Sequence, residues 1–195
     1  MARRRRSHQK AQSKGQILAM MLAGGGLLIL GVVALLVLPG LNAGASSESS
    51  LSAVPVQVDF ASPDLSLTDL QGKQVSLADY RGQVILINNW ATWCPPCKAE
   101  MPTLKEYYEA HRNKNFTIIA IEAGEPVAEV TNFVNQYGLP FPVWPDPANK
   151  SLDAFRNQNL PNSYVIDRTG TVRLAWTGAI SREMLEKYVT PLLEN

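Results

Sequence analysis

The sequence predicts an α/β domain, with a mixed central sheet covered by helices, preceded by one membrane-spanning helix. Three observations carry this prediction. Helical and strand-like stretches alternate from residue 53 to the C-terminus, which is typical of a sheet with helices packed on it. Two pairs of short apolar segments flank turn residues, which indicates β-hairpins. An uncharged stretch near the N-terminus is long enough for a helix to cross a bilayer.

The uncharged stretch is residues 17–38, ILAMMLAGGGLLILGVVALLVL. A helix of this length reaches about 33 Å, against about 30 Å for the hydrocarbon core of a bilayer. Six of the 18 Lys and Arg residues lie in the first 14 positions. Because such residues stay on the cytoplasmic side, everything after Pro39 is expected on the extracytoplasmic face, periplasmic or outer. A signal cleaved after Ala45 is the alternative, but its apolar region usually spans only about 7–15 residues.

The chain therefore divides into four parts. Residues 1–16 form a basic cytoplasmic tail, residues 17–38 a transmembrane anchor or uncleaved signal, residues 39–52 a flexible linker and residues 53–195 the folded domain. Beyond residue 14 the chain has 12 basic and 17 acidic side chains, a net charge of −5. The domain has no basic–aromatic patch, so the expected partner of the basic tail is the membrane and not nucleic acid.

Apolar patterns define the first strands of the domain. Residues 65–68 and 74–77 alternate apolar and polar around Gly72, which predicts an N-terminal β-hairpin. Residues 84–87 and 116–121 are continuously apolar or β-branched for most of their length, as in strands buried on both faces.

Three helices are predicted in the middle of the domain. Apolar residues recur at helical spacing over residues 95–112 and again over residues 127–137, where Gly138 is expected to end the helix. A shorter helix is expected over residues 151–157.

A second hairpin and a final helix complete the domain. Residues 163–166 and 171–176 flank the turn sequence DRTG, which predicts two antiparallel strands. Ser181 is expected to cap the N-terminus of one last helix that continues to Leu192.

Two cysteines, Cys94 and Cys97, stand in the segment WCPPCKAE. As a structural staple they would close a loop too short to remove much entropy from the unfolded chain. A structural zinc ion takes four ligands, and the chain adds only His8 in the predicted tail and His111 far along the helix. The spacing favours a redox-active pair over either alternative.

The redox interpretation has a physical reason at each position. Cys94 lies where a strand ends and a helix begins, so unpaired amides and the helix dipole favour its thiolate. Cys97 follows one turn later, where it can attack a mixed disulfide from inside. Pro95 and Pro96 fit the first helical turn, which does not use their missing N–H groups. Because the same prolines remove amides that would stabilise the thiolate, the site is expected to be a reductant.

The segments INNWATWCPPCKAEMP and LPNSYVIDRTGTV resemble the thioredoxin superfamily, and within it the membrane-anchored TlpA/ResA-like thiol–disulfide oxidoreductases. The resemblance covers about residues 53–193 and implies a thioredoxin-like fold that needs no cofactor or metal. It also implies that Cys94 is the attacking thiol and Cys97 the resolving thiol, and that the two form the redox disulfide.

The same resemblance implies a supporting set around the cysteines. Trp93 matches the exposed aromatic beside the site, between the strand and Pro95 and Pro96. Leu160 and Pro161 match the cis-proline loop that lies opposite the disulfide and helps to align a substrate backbone.

Two departures from the family pattern carry information. Asn88 stands where general thioredoxins have a buried aspartate, and it cannot titrate. Glu100 follows Cys97 by three residues, and the ResA-like branch carries an acid there. If Glu100 is partly buried, its pKa rises and it can take the Cys97 proton near neutral pH; a solvated helix glutamate is the alternative. Asn159 and Asn162 replace the glycine and threonine common in the cis-proline loop, which leaves the substrate preference open.

Other polar residues are weaker candidates. Glu122, at a strand end, is weighed as a residue of the cleft. Asp146 and Asp153 are expected at the surface near a helix start, and Trp144 and Trp176 in the core.

The favoured function is a protein-disulfide reductase acting on exported proteins. The resemblance suggests apocytochrome c as substrate during cytochrome c maturation, and a transmembrane thiol carrier as electron donor. General thiol–disulfide exchange with other substrates is one alternative. A peroxiredoxin-like peroxidase is another, but it needs a threonine three residues before the reactive cysteine, where this chain has Ala91 and places Thr92 one position later. A tethered binding domain with an inert disulfide is the third.

Overall fold

The computed structural model describes residues 52–194. The strands of this part are β1 (Val56–Ala61), β2 (Ser66–Thr68), β3 (Gln74–Ser76), β4 (Val84–Trp90), β5 (Phe116–Ala123), β6 (Val143–Asp146), β7 (Asn162–Ile166) and β8 (Thr171–Thr177). The α-helices are α1 (Pro95–His111), α2 (Val127–Tyr137), α3 (Lys150–Ala154), α4 (Arg182–Tyr188) and α5 (Thr190–Leu193), and a 3-10 helix spans Leu77–Tyr80.

Six strands form a mixed sheet in the order β1-β8-β7-β4-β5-β6. Strands β4, β5 and β6 are parallel to one another, whereas β7 pairs antiparallel with β4, and β8 with β7 and β1. Strands β2 and β3 form a separate hairpin. The predicted mixed sheet, the N-terminal hairpin and the second hairpin are therefore confirmed.

The two central strands, β4 and β5, are buried at every residue. One face of β4, which carries Leu86 and Trp90, packs in a core cluster with residues of α1, α2 and α4. The other face, which carries Ile85 and Ile87, packs against the hairpin β2–β3. Because successive side chains of a strand point to opposite faces, neighbouring residues of β4 serve different layers of the molecule.

The predicted helix boundaries hold best where a specific residue ends the helix. Helix α2 ends at Tyr137, and Gly138 adopts a left-handed conformation (φ 58°) in which its N–H bonds to the Val134 carbonyl. Ser181 caps α4, its side chain accepting a hydrogen bond from the Met184 N–H. Helix α3 is shorter than predicted, ending at Ala154.

The single final helix predicted from Ser181 is wrong. The chain forms α4 and then α5, with Val189 between them. Pro191 has no N–H to donate to the preceding turn, and its ring crowds the carbonyl four residues earlier. It is accommodated only because a new helix begins at Thr190.

Two strands had no counterpart among the predicted elements. Strand β1 is an edge strand whose residues are mostly exposed, so it lacks the apolar run of a buried strand. Strand β6 is short, lies at the opposite edge and contains Pro145. A proline removes a ladder hydrogen bond and is tolerated at an edge, which is why the sequence of β6 resembles that of a loop.

The predicted tail, anchor and most of the linker lie outside residues 52–194. Within this part of the chain, no helix is long and apolar enough to cross a membrane. The transmembrane helix over residues 17–38 thus stays a prediction.

Candidate active site

Cys94 and Cys97 lie where strand β4 leads into helix α1. The chain turns through residues 91–93, and Cys94 is the N-cap residue of the helix. The two cysteines form a disulfide with their Cα atoms 5.3 Å apart. Because Pro95 and Pro96 have no N–H, the first backbone donor of the helix is the Cys97 N–H, which bonds to Cys94 Sγ at 3.3 Å.

The two sulfur atoms differ in access. Cys97 is fully buried, whereas Cys94 keeps 3% of its surface exposed. Trp93, beside Cys94, is 65% exposed, and Pro95 and Pro96 are exposed as well. The exposed residues beside Cys94 therefore include Trp93 and the two prolines, whereas Cys97 is shielded from solvent.

The Leu160–Pro161 peptide bond is cis, as the resemblance predicts. We define the cis-proline loop as residues 157–161, which lead into strand β7. Leu160 packs against the core cluster that contains both cysteines. The Pro161 carbonyl accepts a hydrogen bond from the Gly178 N–H at 2.8 Å, which ties the loop to the end of β8.

Glu100 is buried and fully hydrogen-bonded. Its Oε1 accepts a hydrogen bond from Asn88 Nδ2 at 2.8 Å, and its Oε2 accepts one from the Ile180 N–H at 3.2 Å. Burial raises the pKa of Glu100 to about 8, even though these two hydrogen bonds favour the carboxylate. The solvated-glutamate alternative is therefore wrong, and the carboxyl group lies one helical turn after Cys97 on the same side of α1.

Asn88 links Glu100 to the strand that follows the cis-proline. Its Nδ2 also donates to Ser163 Oγ at 3.1 Å, and Ser163 is its neighbour across the β4–β7 pair. Asn88 Oδ1 is buried without a hydrogen-bond partner. Asn88, which stands where general thioredoxins have a buried aspartate, thus donates a hydrogen bond to Glu100.

A second buried carboxyl group lies behind the turn that precedes Cys94. Glu122, in β5, is fully buried, and its Oε2 accepts a hydrogen bond from the Glu125 N–H. The Glu125 carboxylate accepts two hydrogen bonds from Thr92, from its N–H at 2.7 Å and from its Oγ1 at 2.5 Å. Glu125 therefore holds the turn of residues 91–93 in place.

The two glutamates titrate in opposite directions. Burial, with the Glu125 side chain second, raises the pKa of Glu122 to about 8. Burial also pushes the pKa of Glu125 upward, but hydrogen bonds from Thr92 and Glu122 outweigh it, and the pKa falls below its usual value. At neutral pH Glu122 keeps its proton and Glu125 is ionised.

Sequence reasoning considered Glu122 for the cleft and missed Glu125 and its contact with Thr92. The available signal was their position, since Glu122 is the penultimate residue of β5, Glu125 lies two residues beyond its end, and ligand-binding residues gather at the carboxyl ends of parallel strands. Asp153 is exposed and Trp144 and Trp176 are buried, as expected. Asp146 is a correction: it is 1% exposed, and its Oδ2 accepts a hydrogen bond from the N–H of Ser151 at the start of α3.

The arrangement is suited to thiol–disulfide exchange. One sulfur at a helix N-terminus has slight access to solvent, a second sulfur is hidden behind it, and a carboxyl group of raised pKa lies one turn away. Within residues 52–194, no three His, Cys, Asp or Glu side chains are grouped so that they could hold a metal ion. Fold, disulfide and cis-proline loop together define a thioredoxin-like protein.

Comparison with known proteins narrows this class. Residues 58–175 match the model of the AhpC/TSA family. A ResA thiol-disulfide oxidoreductase of Geobacillus kaustophilus (strain HTA426) is 37% identical over 134 residues, which is 69% of this chain and 77% of the relative. The ResA thiol-disulfide oxidoreductase of Geobacillus thermodenitrificans (strain NG80-2) is 34% identical over 158 residues, 81% of this chain and 91% of the relative.

Solved structures agree with the sequence matches. A putative thiol:disulfide interchange protein DsbE from Chlorobium tepidum superposes with a TM-score of 0.65 and 27% identity, covering 69% of this chain and 96% of the other. A putative thioredoxin from Neisseria meningitidis gives a TM-score of 0.63 at 36% identity, covering 69% of this chain and 90% of the other.

The chain belongs to the AhpC/TSA family and, within it, to the ResA-type thiol–disulfide oxidoreductases of the thioredoxin superfamily. It is a thiol–disulfide oxidoreductase. The names of its relatives favour this activity over the peroxidase and over the inert binding domain.

Proposed function

We propose that the chain reduces disulfides of exported proteins on the extracytoplasmic face of the membrane, with disulfide-bearing apocytochrome c as one substrate. The observation that carries the proposal is the buried Glu100 one turn after the shielded Cys97. A transmembrane thiol carrier is the proposed electron donor, and the segment at residues 17–38 the proposed anchor.

The proposed reaction has two exchange steps. The Cys94 thiolate attacks one sulfur of the substrate disulfide, forming a mixed disulfide and releasing the other substrate sulfur as a thiolate. The Glu100 carboxylate then takes the proton of the Cys97 thiol, and the Cys97 thiolate attacks Cys94 Sγ. This step releases the second substrate thiolate and leaves Cys94 and Cys97 joined. The substrate gains two electrons, and the donor restores the dithiol.

The protonation of Glu100 fits this sequence of steps. In the disulfide form Glu100 is buried with a pKa of about 8, so it carries a proton at neutral pH. That is the state expected after the carboxylate has accepted the proton of Cys97. A group whose pKa lies near the working pH is also the most effective proton acceptor.

The direction of the reaction follows from how little stabilises a Cys94 thiolate. Pro95 and Pro96, the first two residues of the helix, have no N–H groups to donate. The Cys97 N–H is the backbone group that donates to Cys94 Sγ. A strong oxidant owes its potential to a stabilised reduced form. We therefore expect a reduction potential below about −200 mV, in the range of reductants and not near the −120 mV of strong oxidants.

Trapping of the intermediate tests the proposed function. In the Cys97→Ala variant of the full chain, the mixed disulfide at Cys94 cannot be resolved, so a peptide with an oxidised C-x-x-C-H motif should remain attached. The matched control is Cys94→Ala, in which the remaining sulfur at Cys97 is fully buried and should trap nothing. Equal trapping by both variants, or by neither, would contradict the proposal.

The proposed location has its own test. Membranes containing the full chain are washed with alkaline carbonate, which leaves integral proteins in place. Retention of a full-length chain supports the anchor, whereas release of a shorter chain beginning after Ala45 supports a cleaved signal.

A further inference from the structure

A chain of buried hydrogen bonds lies on the face of β4 opposite to Glu100. Asn89 follows Asn88 in the strand, so its side chain points to the other layer. Its neighbour across the β4–β7 pair is Asn162, the residue after the cis-proline. Asn89 Nδ2 donates to Asn162 Oδ1 at 2.8 Å, and both residues are fully buried.

Asn162 extends this chain into the cis-proline loop. Its Nδ2 donates to the carbonyl oxygen of Asn159 at 2.6 Å and to that of Asn157 at 3.3 Å. Asn159 itself is exposed and directly precedes Leu160 and the cis bond. The buried side chain of Asn162 thus holds the backbone of the loop from below, while the loop faces solvent.

At the end away from the cis-proline loop, this chain of hydrogen bonds reaches helix α3. Asn89 Oδ1 accepts a hydrogen bond from Ser151 Oγ at 2.6 Å, and the Ser151 N–H donates to Asp146 Oδ2 at 2.7 Å. Ser151 and Asp146 are each 1% exposed. The cis-proline loop is therefore connected, through side chains alone, to the first turn of a helix on the far side of β4.

Buried side chains linked by hydrogen bonds destabilise the fold if their geometry changes and a hydrogen bond is lost. Buried amides need hydrogen-bond partners, and the loss of one partner leaves a desolvated group at a cost of about 1–3 kcal/mol. Asn89 and Asn162 have no side-chain atom without a partner. Each amide accepts on one side and donates on the other, so the position of the loop is fixed relative to the sheet.

We propose that Asn89 and Asn162 are positioning residues that fix the cis-proline loop for polypeptide disulfides. The inference rests on the proposed function and on the role that the family resemblance implies for this loop, alignment of the substrate backbone. A substrate that brings a backbone to the loop depends on its exact position. A small disulfide without a peptide backbone depends only on the two cysteines, so the chain Ser151–Asn89–Asn162 sets specificity and leaves thiol reactivity alone.

The decisive variant is Asn162→Asp in the full chain. The aspartate keeps an oxygen that accepts the Asn89 hydrogen bond, but its second oxygen faces the carbonyl oxygens of Asn159 and Asn157 and cannot donate to them. The control is Gln74→Ala, which removes an exposed hydrogen bond to Thr68 within the hairpin β2–β3 and leaves the cis-proline loop unchanged.

Two substrates separate alignment from reactivity. For a peptide with one internal disulfide, KM should rise about tenfold in Asn162→Asp, the equivalent of the roughly 1.4 kcal/mol expected when buried donors are lost. The rate with bis(2-hydroxyethyl) disulfide should stay within about twofold, since this substrate has no peptide backbone and its reduction depends only on the two cysteines. Gln74→Ala should change neither. An unchanged KM, or parallel losses with both substrates, would overturn the inference.

A milder variant keeps the test open if Asn162→Asp does not fold. Ser151→Ala removes only the hydrogen bond from Ser151 to Asn89. Its KM for the peptide should rise about two- to threefold, and its rate with the small disulfide should not change. No change in the peptide KM of a folded Ser151→Ala chain would then overturn the inference.

Hydrogen exchange tests the loop without any substrate. The Gly178 N–H donates to the Pro161 carbonyl, so its exchange rate reports the position of the loop. It should increase about tenfold in Asn162→Asp and not in Gln74→Ala. Unchanged exchange would overturn the inference. A wild-type chain that leaves the peptide intact while reducing the small disulfide would instead refute the proposed function, and the exchange result would stand by itself.

Discussion

Glu100 and Glu122 are two buried carboxyl groups near the same disulfide, and burial raises the pKa of each to about 8. Their neighbours differ. Glu100 is hydrogen-bonded by an amide side chain, Asn88, and by the Ile180 N–H, both neutral. Glu122 faces the ionised Glu125, which in turn holds Thr92.

The difference shows that equal pKa values do not imply equal roles. The proton of Glu100 has no competing acid beside it and lies one turn from Cys97, so it can be exchanged with the thiol. The proton of Glu122 allows Glu125 to stay ionised next to another carboxyl group, because two close carboxylates repel each other. We propose that Glu100 acts in the reaction, whereas Glu122 helps Glu125 to hold the turn before Cys94.

The largest effect is expected from Glu100→Gln, which removes the proposed acceptor of the Cys97 proton. The rate at which Cys97 resolves a mixed disulfide at Cys94 is measured by stopped flow as the release of a labelled peptide. This rate should fall about 10- to 100-fold at pH 7. In the wild-type chain the rate should rise with pH as Glu100 loses its proton near pH 8.

The matched control for this experiment is Glu122→Gln, which should leave the resolution rate within about twofold. Superimposable rate profiles for the wild type and Glu100→Gln would remove Glu100 from the mechanism.

The next largest effect is expected when Glu100, like Glu122, is given a second carboxyl group as its neighbour. Asn88→Asp places a second carboxyl group at the hydrogen-bond distance of 2.8 Å that Asn88 now keeps from Glu100. The pair then shares one proton and releases it only above pH 8, because two adjacent carboxylates cannot both ionise easily. The resolution rate at pH 7 should fall about fivefold and recover at higher pH. A rate at pH 7 equal to that of wild type would show that the carboxyl group at position 88 does not raise the pKa of Glu100.

Glu122→Gln should change stability more than activity. The pKa of Glu122 is raised in the folded state, so the stability contributed by its proton is complete below about pH 4.5 and is lost as the pH rises through about 8. Glutamine stays neutral and avoids this loss. The variant should match wild type at pH 5 and exceed it at pH 9 by on the order of 1–3 kcal/mol in urea unfolding. A constant difference across this range would disprove the raised pKa.

The smallest effect is expected from Thr92→Val. The substitution removes the hydrogen bond from Thr92 Oγ1 to Glu125 and leaves the bond from the Thr92 N–H in place. Unfolding free energy should fall by about 1 kcal/mol, and reduction of the small disulfide should stay within about twofold. A fall of more than about twofold in the reduction rate of the small disulfide would show that Glu125 acts on Cys94 directly.

Much of the reactive region could be predicted from the sequence because its residues are neighbours along the chain. Cys94, Cys97 and Glu100 lie within two turns of one helix, so helical spacing alone brings them to one side. The buried strands β4 and β5 were equally clear, since their residues are apolar over most of their length.

The second carboxyl group and the buried amide chain depend on contacts across the sheet. Glu125 is 33 residues from Thr92, and Asn162 is 73 residues from Asn89. No local pattern reports such pairs, because the register of β4 against β5 and β7 decides which side chains meet. The edge strands β1 and β6 escaped prediction for a related reason, since an edge strand needs no continuous apolar sequence.

The most direct test of the account is the titration of Glu100 itself. Carbon-13 NMR of glutamate-labelled protein in the disulfide form follows each carboxyl group, and the Glu100→Gln and Glu122→Gln spectra assign the two buried ones. We predict that Glu100 titrates with a midpoint near pH 8. A midpoint near 4.5, the value of an ordinary glutamate, would contradict the claim that Glu100 holds the proton received from Cys97.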